Sequence, residues 1–401
     1  MNELHAAAEP RAEALPVRFT ASGSEYFRIW ISNLLLTLLT LGLYHPWAKV
    51  RKLRYFYGNT WVGDHAFDFH GDPKRMLRGT VLVGVLFVAY GLADEFAPSA
   101  GFVALAIVVA ILPALFLASL RFRMANTSWR GMRFHFTGSM RGAYAALLPG
   151  LVPAALFFGF TLLMPDPDDT ARAADATAGP PEWVMASMGF LVLGTFALMP
   201  LILWGIKRYQ HGHYALGDVR TRLKTDPAEF YLLFLKAGGV SVLATVAIAI
   251  AVIGVAAVLG VAGLFGDERL EGAGSVVTFI AFVVVGSAGY LALLLVSNTY
   301  LASRLQNLVW NGTLSPELQF RSELKLKPLM GLTLKNWLLI VLTLGLYWPF
   351  AAVATARLKL QSVTVRTSGP LDDLTARAGR AGAADASGDA AGELFGLDVG
   401  L

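Results

Sequence analysis

Long apolar runs alternate with shorter polar stretches along most of the chain, and the length of each run indicates the element it forms. A helix needs about 20 apolar residues to cross the hydrocarbon core of a bilayer. Six runs reach that length, and they lie at 77–96, 101–120, 142–164, 183–206, 238–265 and 275–298. We therefore expect an all-α polytopic membrane protein with six transmembrane helices.

Two further apolar segments, 26–44 and 332–350, are near copies of each other. Both contain a Gly at which a helix can end and a Pro at which a new helix can begin. These residues are Gly42 and Pro46 in the first copy and Gly345 and Pro349 in the second. Because broken backbone at membrane depth needs protein or water around it, we expect two broken, re-entrant elements that lie against the six helices. Two ordinary membrane spans are the alternative interpretation.

The polar stretches between the runs carry a second repeat. Apolar and polar residues alternate on both sides of Gly63, which predicts a β-hairpin with a tight turn. Phe67 and Phe69 then project from one face of a strand, as do Phe134 and Phe136 in the next copy. Since a lone hairpin is marginally stable, we expect the hairpins to join into a small sheet with these four side chains in one core. The alternative is that each hairpin lies separately on the bilayer.

Basic residues are distributed unevenly between two sets of connections. Four modules, at 45–80, 121–141, 207–228 and 299–331, contain 21 Lys and Arg residues. The loops at 94–100, 165–182 and 266–273 contain two. Because Lys and Arg are retained on the cytoplasmic side of a membrane protein, we predict that the modules are cytoplasmic in a bacterial inner membrane.

Composition narrows the class further. With 55% hydrophobic and 15% charged residues, the chain cannot be an ordinary soluble globule. The absence of Cys excludes disulfides and thiolate metal sites. The net charge of +5 follows from the sidedness, so nucleic-acid binding is not indicated. We expect an N-terminal tail without a signal peptide at 1–24, a membrane domain at 25–366 and a disordered tail at 367–401.

Several long motifs carry a resemblance to a known family. They are Glu25-Tyr-Phe-Arg-Ile-Trp-Ile-Ser-Asn33, Phe67-Asp-Phe-His-Gly-Asp-Pro73 and Tyr209-Gln-His-Gly-His-Tyr214. Together with the first of the duplicated segments, they resemble the YjgN family of bacterial inner-membrane proteins over about residues 18–366. The resemblance implies a multi-pass inner-membrane protein of uncharacterised function, and it transfers no active-site residue.

Two sets of polar residues are candidates for function. The first set lies inside the duplicated segments and would line a path for a solute, or would only join helices by hydrogen bonds. It comprises Asn33, Thr40, Asn336 and Thr343. The second set recurs where helices are expected to end and would bind anionic lipid headgroups, or would only anchor the helices at the interface. It comprises Arg54, Arg121, Arg208, Arg304 and Arg357.

No catalytic motif is visible in the sequence. His211 and His213 flank Gly212 and could ligate a metal, but we interpret them as interfacial polar side chains. We therefore predict no enzyme, no cofactor and no metal, with the lipid bilayer as the partner. The first hypothesis is a non-enzymatic pore or carrier for a small solute or lipid. The alternative is a membrane-anchored scaffold whose hairpin sheet binds a protein partner or anionic headgroups, and an enzyme acting on lipid ranks third.

Overall fold

A computed structural model describes residues 13–96, 98–163, 182–261, 273–369 and 376, in which short strands alternate with helical hairpins. The strands are β1 (Glu13–Phe19), β2 (Thr60–Val62), β3 (His65–Phe69), β4 (Thr127–Trp129), β5 (Met132–Phe136), β6 (Tyr214–Leu216), β7 (Val219–Arg220), β8 (Arg222–Leu223), β9 (Thr313–Leu314), β10 (Leu318–Ser322) and β11 (Val363–Thr367). The helices are α1 (Gly23–Leu39), α2 (His45–Gly58), α3 (Pro73–Phe96), α4 (Pro98–Ala125), α5 (Met140–Leu163), α6 (Glu182–His211), α7 (Pro227–Val261), α8 (Ala273–Gly312), α9 (Leu326–Leu342) and α10 (Trp348–Gln361).

The strands form one antiparallel sheet that is nearly closed into a ring. The strand order is β7-β6-β5-β4-β3-β2-β1-β11-β10-β9-β8, so β1 pairs with both β2 and β11. The two strands at the ends of this order, β7 and β8, are joined by the single residue Thr221. This arrangement leaves little strand edge free, which removes the usual site of edge-to-edge association.

The helices form a second ring that stands on the sheet. Each helix packs mainly against the helices before and after it in the chain, and α10 packs against α1. Both ends of every hairpin meet the sheet, because a strand precedes and follows each pair of helices. Over its described residues, the chain therefore consists of five βααβ units arranged in a circle.

The predicted fold class is wrong in two respects. The chain is not all-α, because the polar modules and Glu13–Phe19 join into the eleven-stranded sheet. Short strands bury their apolar face only when several combine, so the hairpins do not stay separate. Among the described residues, five helices rather than six are long and apolar enough to cross a membrane. They are Val103–Ala125, Met140–Phe157, Glu182–His211, Pro227–Ala257 and Phe279–Gly312.

The acidic loops predicted at 165–182 and 266–273 and the C-terminal tail beyond residue 369 lie outside the described residues, apart from isolated positions. The prediction that these loops and the basic modules face opposite sides of the membrane therefore stays a prediction.

The two duplicated segments form matching helical hairpins, α1 with α2 and α9 with α10. Gly42 and Gly345 both have a φ of 92°, in the left-handed region that favours glycine. Each Gly N–H donates a 2.7 Å hydrogen bond to a carbonyl five residues earlier, which ends the first helix. The predicted break at these glycines is confirmed. The expected six-helix bundle is absent from the described residues: α1 packs against α10, while α2 packs against α3 and α9 against α8, so the two copies are neighbours within the ring.

The predicted pairing of hairpins into a shared sheet is confirmed, but the four Phe side chains do not share one core. The rings of Phe67 and Phe134 stack at 5.9 Å in the centre of the strand ring. Phe69 packs instead beneath the α2–α3 contact, and Phe136 packs with Tyr209 beneath α4, α5 and α6. Residues two apart on a strand share a face, but the helices above the strand ends separate them into different clusters.

Candidate functional site

Three of the predicted headgroup-binding arginines hold neighbouring units together. Arg54 Nε donates to the Phe69 carbonyl at 3.2 Å, Arg121 Nη2 donates to the Gly138 carbonyl at 3.0 Å, and Arg357 Nη2 donates to the Ala21 carbonyl at 2.6 Å. Each acceptor lies just before the first helix of the next unit, so each Arg joins two units. Their role in binding lipid headgroups stays a prediction.

The two other predicted arginines stack on aromatic rings of their own helices. Arg208 lies 4.8 Å from the ring centre of Trp204, and Arg304 lies 5.6 Å from that of Tyr300. The indole N–H of Trp204 donates to the Thr225 carbonyl at 2.9 Å, and this carbonyl again precedes the first helix of the next unit. Arg208 itself is exposed, and it lies about 100° around the helix from the adjacent Lys207.

The four predicted path residues make hydrogen bonds inside their own hairpins. Asn33 is 7% exposed, and its Nδ2 lies 3.3 Å from the Ala48 carbonyl on α2. Asn336 is 4% exposed and donates from Nδ2 to Thr355 Oγ1 at 3.2 Å on α10. Thr40 Oγ1 accepts a 3.0 Å hydrogen bond from the backbone N–H of Tyr44, the residue just before α2. Thr343 Oγ1 accepts the matching 2.9 Å bond from Tyr347, just before α10. Among the described residues, the structure does not bring Asn33 and Thr40 together with Asn336 and Thr343 into one polar path.

The inner face of the helix ring can be identified from contacts that cross it. Lys207 on α6 lies within electrostatic range of Arg123 on α4, although α5 stands between them. In the other direction, His211 Nδ1 lies 3.1 Å from Thr313 Oγ1 beside α8, although α7 stands between them. In a ring of helices, side chains of two helices that are not neighbours can approach each other across the interior of the ring. Lys207 and His211 therefore mark the inner face of α6.

Above Lys207, this face of α6 is apolar and uncovered. Phe196 precedes Lys207 by eleven residues, and Met199 and Val192 precede Gln210 by eleven and eighteen, so whole helical turns place them on the inner face. Phe196 is 70% exposed, Met199 45% and Val192 47%. No described helix packs over these side chains, so the wall of the ring is apolar and open to its interior.

Helix α4 repeats this arrangement on the other side of α5. Leu112 and Leu105 precede Arg123 by eleven and eighteen residues, and they are 40% and 41% exposed. Neighbouring helices pack about 8–10 Å apart, so a circular ring of ten helices has a bore of about 15–20 Å after the helix width is subtracted. We call the space that the ring of helices surrounds the chamber, and we assign these exposed side chains of α4 and α6 to its wall.

The chamber wall is low on one side. The neighbouring hairpins α1–α2 and α9–α10 each have helices of 17 and 14 residues, whereas α6, α7 and α8 have 30, 35 and 40. At 1.5 Å per residue, the short hairpins rise about 21–26 Å and the long helices about 45–60 Å. Leu41 and Leu344 at the short tips are 95% and 94% exposed. The ring of helices is therefore lowest at these two neighbouring hairpins.

The sheet closes the opposite end of the chamber with an apolar plug. Side chains from β1, β2, β4 and β11 meet in the centre of the strand ring, among them Val17, Val62, Trp129 and Val365. Trp310 at the end of α8 packs on this plug, and the His211 ring meets its indole edge to face at 5.4 Å. The chamber therefore has a floor on which polar side chains of several units converge.

The outer face of the sheet carries a separate polar groove of about 640 Å³. In it, His70 Nε2 lies 2.7 Å from Ser128 Oγ, and Asp68 Oδ2 lies 3.7 Å from His70 Nδ1. This order of groups matches a hydrolytic triad, but the carboxylate is 63% exposed and too distant for a hydrogen bond. Since Asp68 and Ser128 are direct cross-strand partners, their proximity follows from the sheet register and needs no catalytic role.

The two His residues singled out in the sequence have different surroundings. His211 is 8% exposed on the chamber floor, whereas His213 Nδ1 lies 2.9 Å from the Tyr209 carbonyl four residues earlier. Over the described part of the chain, no group of three or more His, Cys, Asp or Glu side chains is placed to hold a metal ion.

Lys207, Arg123 and Tyr214, at this end of the ring, are not among the candidate residues predicted from the sequence. A signal for the first was present, because Lys207, Gln210, His211 and Tyr214 recur with the three- and four-residue spacing of one helix face below an apolar run. Burial raises the pKa of Tyr214 to about 12, partly offset by the Arg123 guanidinium, so the phenol stays protonated at neutral pH.

The five helical hairpins, the ring of strands and the apolar chamber define a multi-pass membrane protein of repeated βααβ units. The chain belongs to the DUF898 family, described as bacterial protein of unknown function, whose model matches residues 14–394. This confirms the family resemblance seen in the sequence, and the membrane-length apolar helices make the chain an integral membrane protein.

Curated relatives are similar over part of their length. The inner membrane protein YjgN of Salmonella typhimurium is 34% identical over 35% of this chain and 36% of its own length. The protein of the same name from Escherichia coli strain K12 is 28% identical over 48% of this chain and 51% of its own length. The chain thus matches about half or less of these relatives' length. No solved structure matches it significantly.

Proposed function

We propose that this protein is a non-enzymatic carrier that takes membrane lipid into the chamber inside its ring of helices. The observation that carries the proposal is the exposure of Val192, Phe196 and Met199 on the face of α6 that helical phase assigns to the inside of the ring. Large apolar surface left in water is costly, at about 25 cal/mol per Å². Acyl chains cover such a surface without this cost, whereas a water-filled pore leaves it wet.

The low side of the wall supports exchange with the bilayer. The short hairpins reach about half-way into a membrane if their polar first turns stay at the interface, because the apolar part of α1 from Ile29 to Leu39 rises only about 16 Å. Lipid can then move over the tips without crossing a closed wall. This lateral opening distinguishes a lipid carrier from a channel for a soluble ion.

The test compares Phe196 with Phe190 on the same helix. Phe190 is 76% exposed and lies about a third of a turn around the helix from Phe196, so we assign it to the outer face of the ring. A photoreactive phenylalanine analogue is placed at one position or the other, and the protein is irradiated after purification in detergent. We expect phospholipid adducts at Phe196 and detergent adducts at Phe190. Equal adducts at both sites, or labelling of a Cys at 196 by a water-soluble thiol reagent, would contradict a lipid-filled chamber.

A second candidate function is a scaffold that binds a protein partner through its sheet. The polar groove on the outer face of β2 to β5 favours it, with Asp64, Asp68, Arg130 and Arg133 along its walls. Reversing the charge at Arg133 to Glu should remove a partner cross-linked in intact membranes without changing the melting temperature. Identical cross-linked products from wild type and variant would exclude this groove as the binding surface.

A further inference from the structure

Each of the two short hairpins carries a cation at the same height in its apolar part. In the first copy the cation is Arg51 on α2, whose Nη1 lies 3.4 Å from Ser32 Oγ on α1, so these two positions face each other. In the second copy the position of Ser32 is occupied by Lys335 on α9. The position of Arg51 is occupied by Ala354. The two hairpins therefore place a positive charge at the same point, although opposite helices supply it.

The guanidinium of Arg51 is oriented by neutral groups and keeps one edge free. Its Nη1 donates to Asn33 Oδ1 at 2.8 Å and lies 3.4 and 3.5 Å from the hydroxyl oxygens of Ser32 and Tyr44. Nε and Nη2 make no hydrogen bond to the described residues, and Arg51 is exposed. These two nitrogens form the planar edge that donates in parallel to two oxygens of one anion.

Neither cation has an anionic partner in its own hairpin. Arg51 and Lys335 form no ion pair with the described residues, and Lys335 is exposed. The stretches 26–63 and 324–371, which contain the two hairpins, hold no Asp or Glu. A basic residue within an apolar membrane segment is costly and usually has a bound partner. We therefore expect the counter-charge to come from outside the chain.

The buried amide of Asn336 shows that the two copies share the charge and not its hydrogen bond. Asn336 is 4% exposed, and its Oδ1 has no hydrogen-bond partner among the described residues. In the first copy the same atom of Asn33 accepts the bond from Arg51. A buried acceptor without a donor is unfavourable, so Lys335 does not replace Arg51 as a helix-joining donor. The feature common to both hairpins is a positive charge at this height.

The height of the cations matches the level of lipid headgroups. Ser32 lies three residues, or about 4.5 Å, beyond Ile29, where the apolar part of α1 begins. A long basic side chain at this depth extends its charged end to the membrane interface. Phosphate groups of lipids are the anions present at that level.

Above each cation, the same face of the first helix is apolar and exposed. Leu35 and Leu39 lie one and two turns above the point where Arg51 meets α1, and they are 54% and 79% exposed. Leu338 and Leu342 lie at the same places above Lys335, and they are 56% and 76% exposed. Each hairpin thus offers a positive charge below a strip of leucine side chains.

We infer that each short hairpin binds the phosphate group of one membrane phospholipid, at Arg51 in the first copy and at Lys335 in the second. The free edge of the guanidinium donates two hydrogen bonds to phosphate oxygens, and the ammonium donates up to three. The acyl chains lie along the exposed leucines, which favours a lipid over a free phosphate ion. The inference goes beyond the proposed carrier function and does not rest on it, because it holds whether or not lipid enters the chamber.

Native mass spectrometry of the full-length protein in a non-ionic detergent tests the two sites by measuring the dissociation constant of each bound phosphatidylglycerol. We expect two molecules to bind more tightly than any others. Arg51→Ala and Lys335→Ala should each weaken one of them by about fivefold, the effect of one basic charge at a lipid surface. Lys335→Ala removes no hydrogen bond to the described residues, so it tests the inference even if Arg51→Ala does not fold. Equal binding by wild type and Lys335→Ala would overturn it.

A second experiment moves the cation across the first hairpin. Ser32→Lys combined with Arg51→Ala reproduces the arrangement of the second copy and should restore the binding that Arg51→Ala loses. Lys52→Ala is the matched control, because Lys52 is exposed and lies about 100° around the helix from Arg51. It should leave both dissociation constants unchanged, and melting temperatures show that each variant is folded. No recovery in the folded double variant, or an equal loss in Lys52→Ala, would reduce the effect to general attraction and overturn the two sites.

Two further ligands separate the phosphate from the acyl chains. Diacylglycerol has the chains of phosphatidylglycerol without its phosphate, and glycerol phosphate has the phosphate without the chains. Both should bind more weakly than phosphatidylglycerol. Equally tight binding of diacylglycerol would exclude a phosphate site, and equally tight binding of glycerol phosphate would mean that the cations take a free anion. Lipid capture at Phe196 is measured separately, so these sites and the chamber can fail independently.

Discussion

At the scale of single residues, the same contact joins one repeat to the next around the ring. Arg54, Arg121 and Arg357 donate to backbone carbonyls that precede the following unit's first helix. Asn307 at the end of α8 does the same, from Nδ2 to the Leu324 carbonyl at 3.0 Å. Since Arg357 belongs to the last unit and Ala21 to the first, the contact also ties the two ends of the chain together.

Replacing Arg357 by Met should therefore weaken ring closure. The Ala21 carbonyl would lose its donor, and a partly buried acceptor without a partner costs about 1–3 kcal/mol. Arg208→Met is the comparison, because an exposed cation–π contact contributes only about 0.5–1 kcal/mol. Unfolding in detergent, followed by tryptophan fluorescence, measures both. Equal stability losses would show that the Arg357 bond to Ala21 contributes little.

At the scale of elements, the duplicated hairpins show how a sequence repeat fixes backbone geometry. Leu41 and Leu344 take φ of 49° and 50°, and the glycines that follow both take 92°. The first value is unusual for a leucine and strains each turn, while the glycine accepts the second without strain. The φ angles at these two positions therefore agree to within a degree between the two turns, although some flanking side chains differ.

Gly345→Ala should destabilise the second hairpin. A Cβ at this position meets no atom within 4 Å, so the cost comes from the backbone alone and should be about 1–2 kcal/mol. Gly331→Ala is the control in the same element, because it lies in helix α9, also has free space around it, and should gain about 0.5–1 kcal/mol. Thermal unfolding of both variants in one detergent gives the comparison. A neutral Gly345→Ala would mean that the turn relaxes to another backbone geometry.

Local sequence patterns predict individual helix breaks and hairpins of this structure, but they do not predict how these elements pair and pack. The breaks at Gly42 and Gly345 follow from Gly and Pro spacing, and the β2–β3 hairpin follows from alternation around Gly63. The pairing of Glu13–Phe19 with Val363–Thr367 spans nearly the whole chain, so no local pattern indicates it. The chamber floor escaped prediction for the same reason, since its cations come from different repeats.

At the scale of the whole molecule, pairing of β1 with β11 closes the ring, and a disulfide can test it. Ala14 and Arg366 are direct cross-strand partners, both exposed, in a chain with no Cys. Directly opposed residues lie about 4.5–5.5 Å apart, within the range that a disulfide bridges, whereas diagonal ones lie about 7–8 Å apart. Ala14→Cys with Arg366→Cys should oxidise to a cyclic chain that migrates differently in a non-reducing gel. Ala14→Cys with Thr364→Cys should not, and equal cross-linking of both pairs would place β1 elsewhere.

The basic modules all lie at the end of the ring that carries the sheet, and the tips of the helical hairpins lie at the other end. Lys and Arg stay on the cytoplasmic side, so the sheet and the chamber floor should face the cytoplasm. We predict that Asp68→Cys and Thr137→Cys remain unlabelled by an impermeant thiol reagent in intact cells, while Asp169→Cys is labelled. The carrier would then draw lipid headgroups from the cytoplasmic leaflet. Labelling of Asp68→Cys with Asp169→Cys silent would invert the molecule and place the floor at the opposite leaflet.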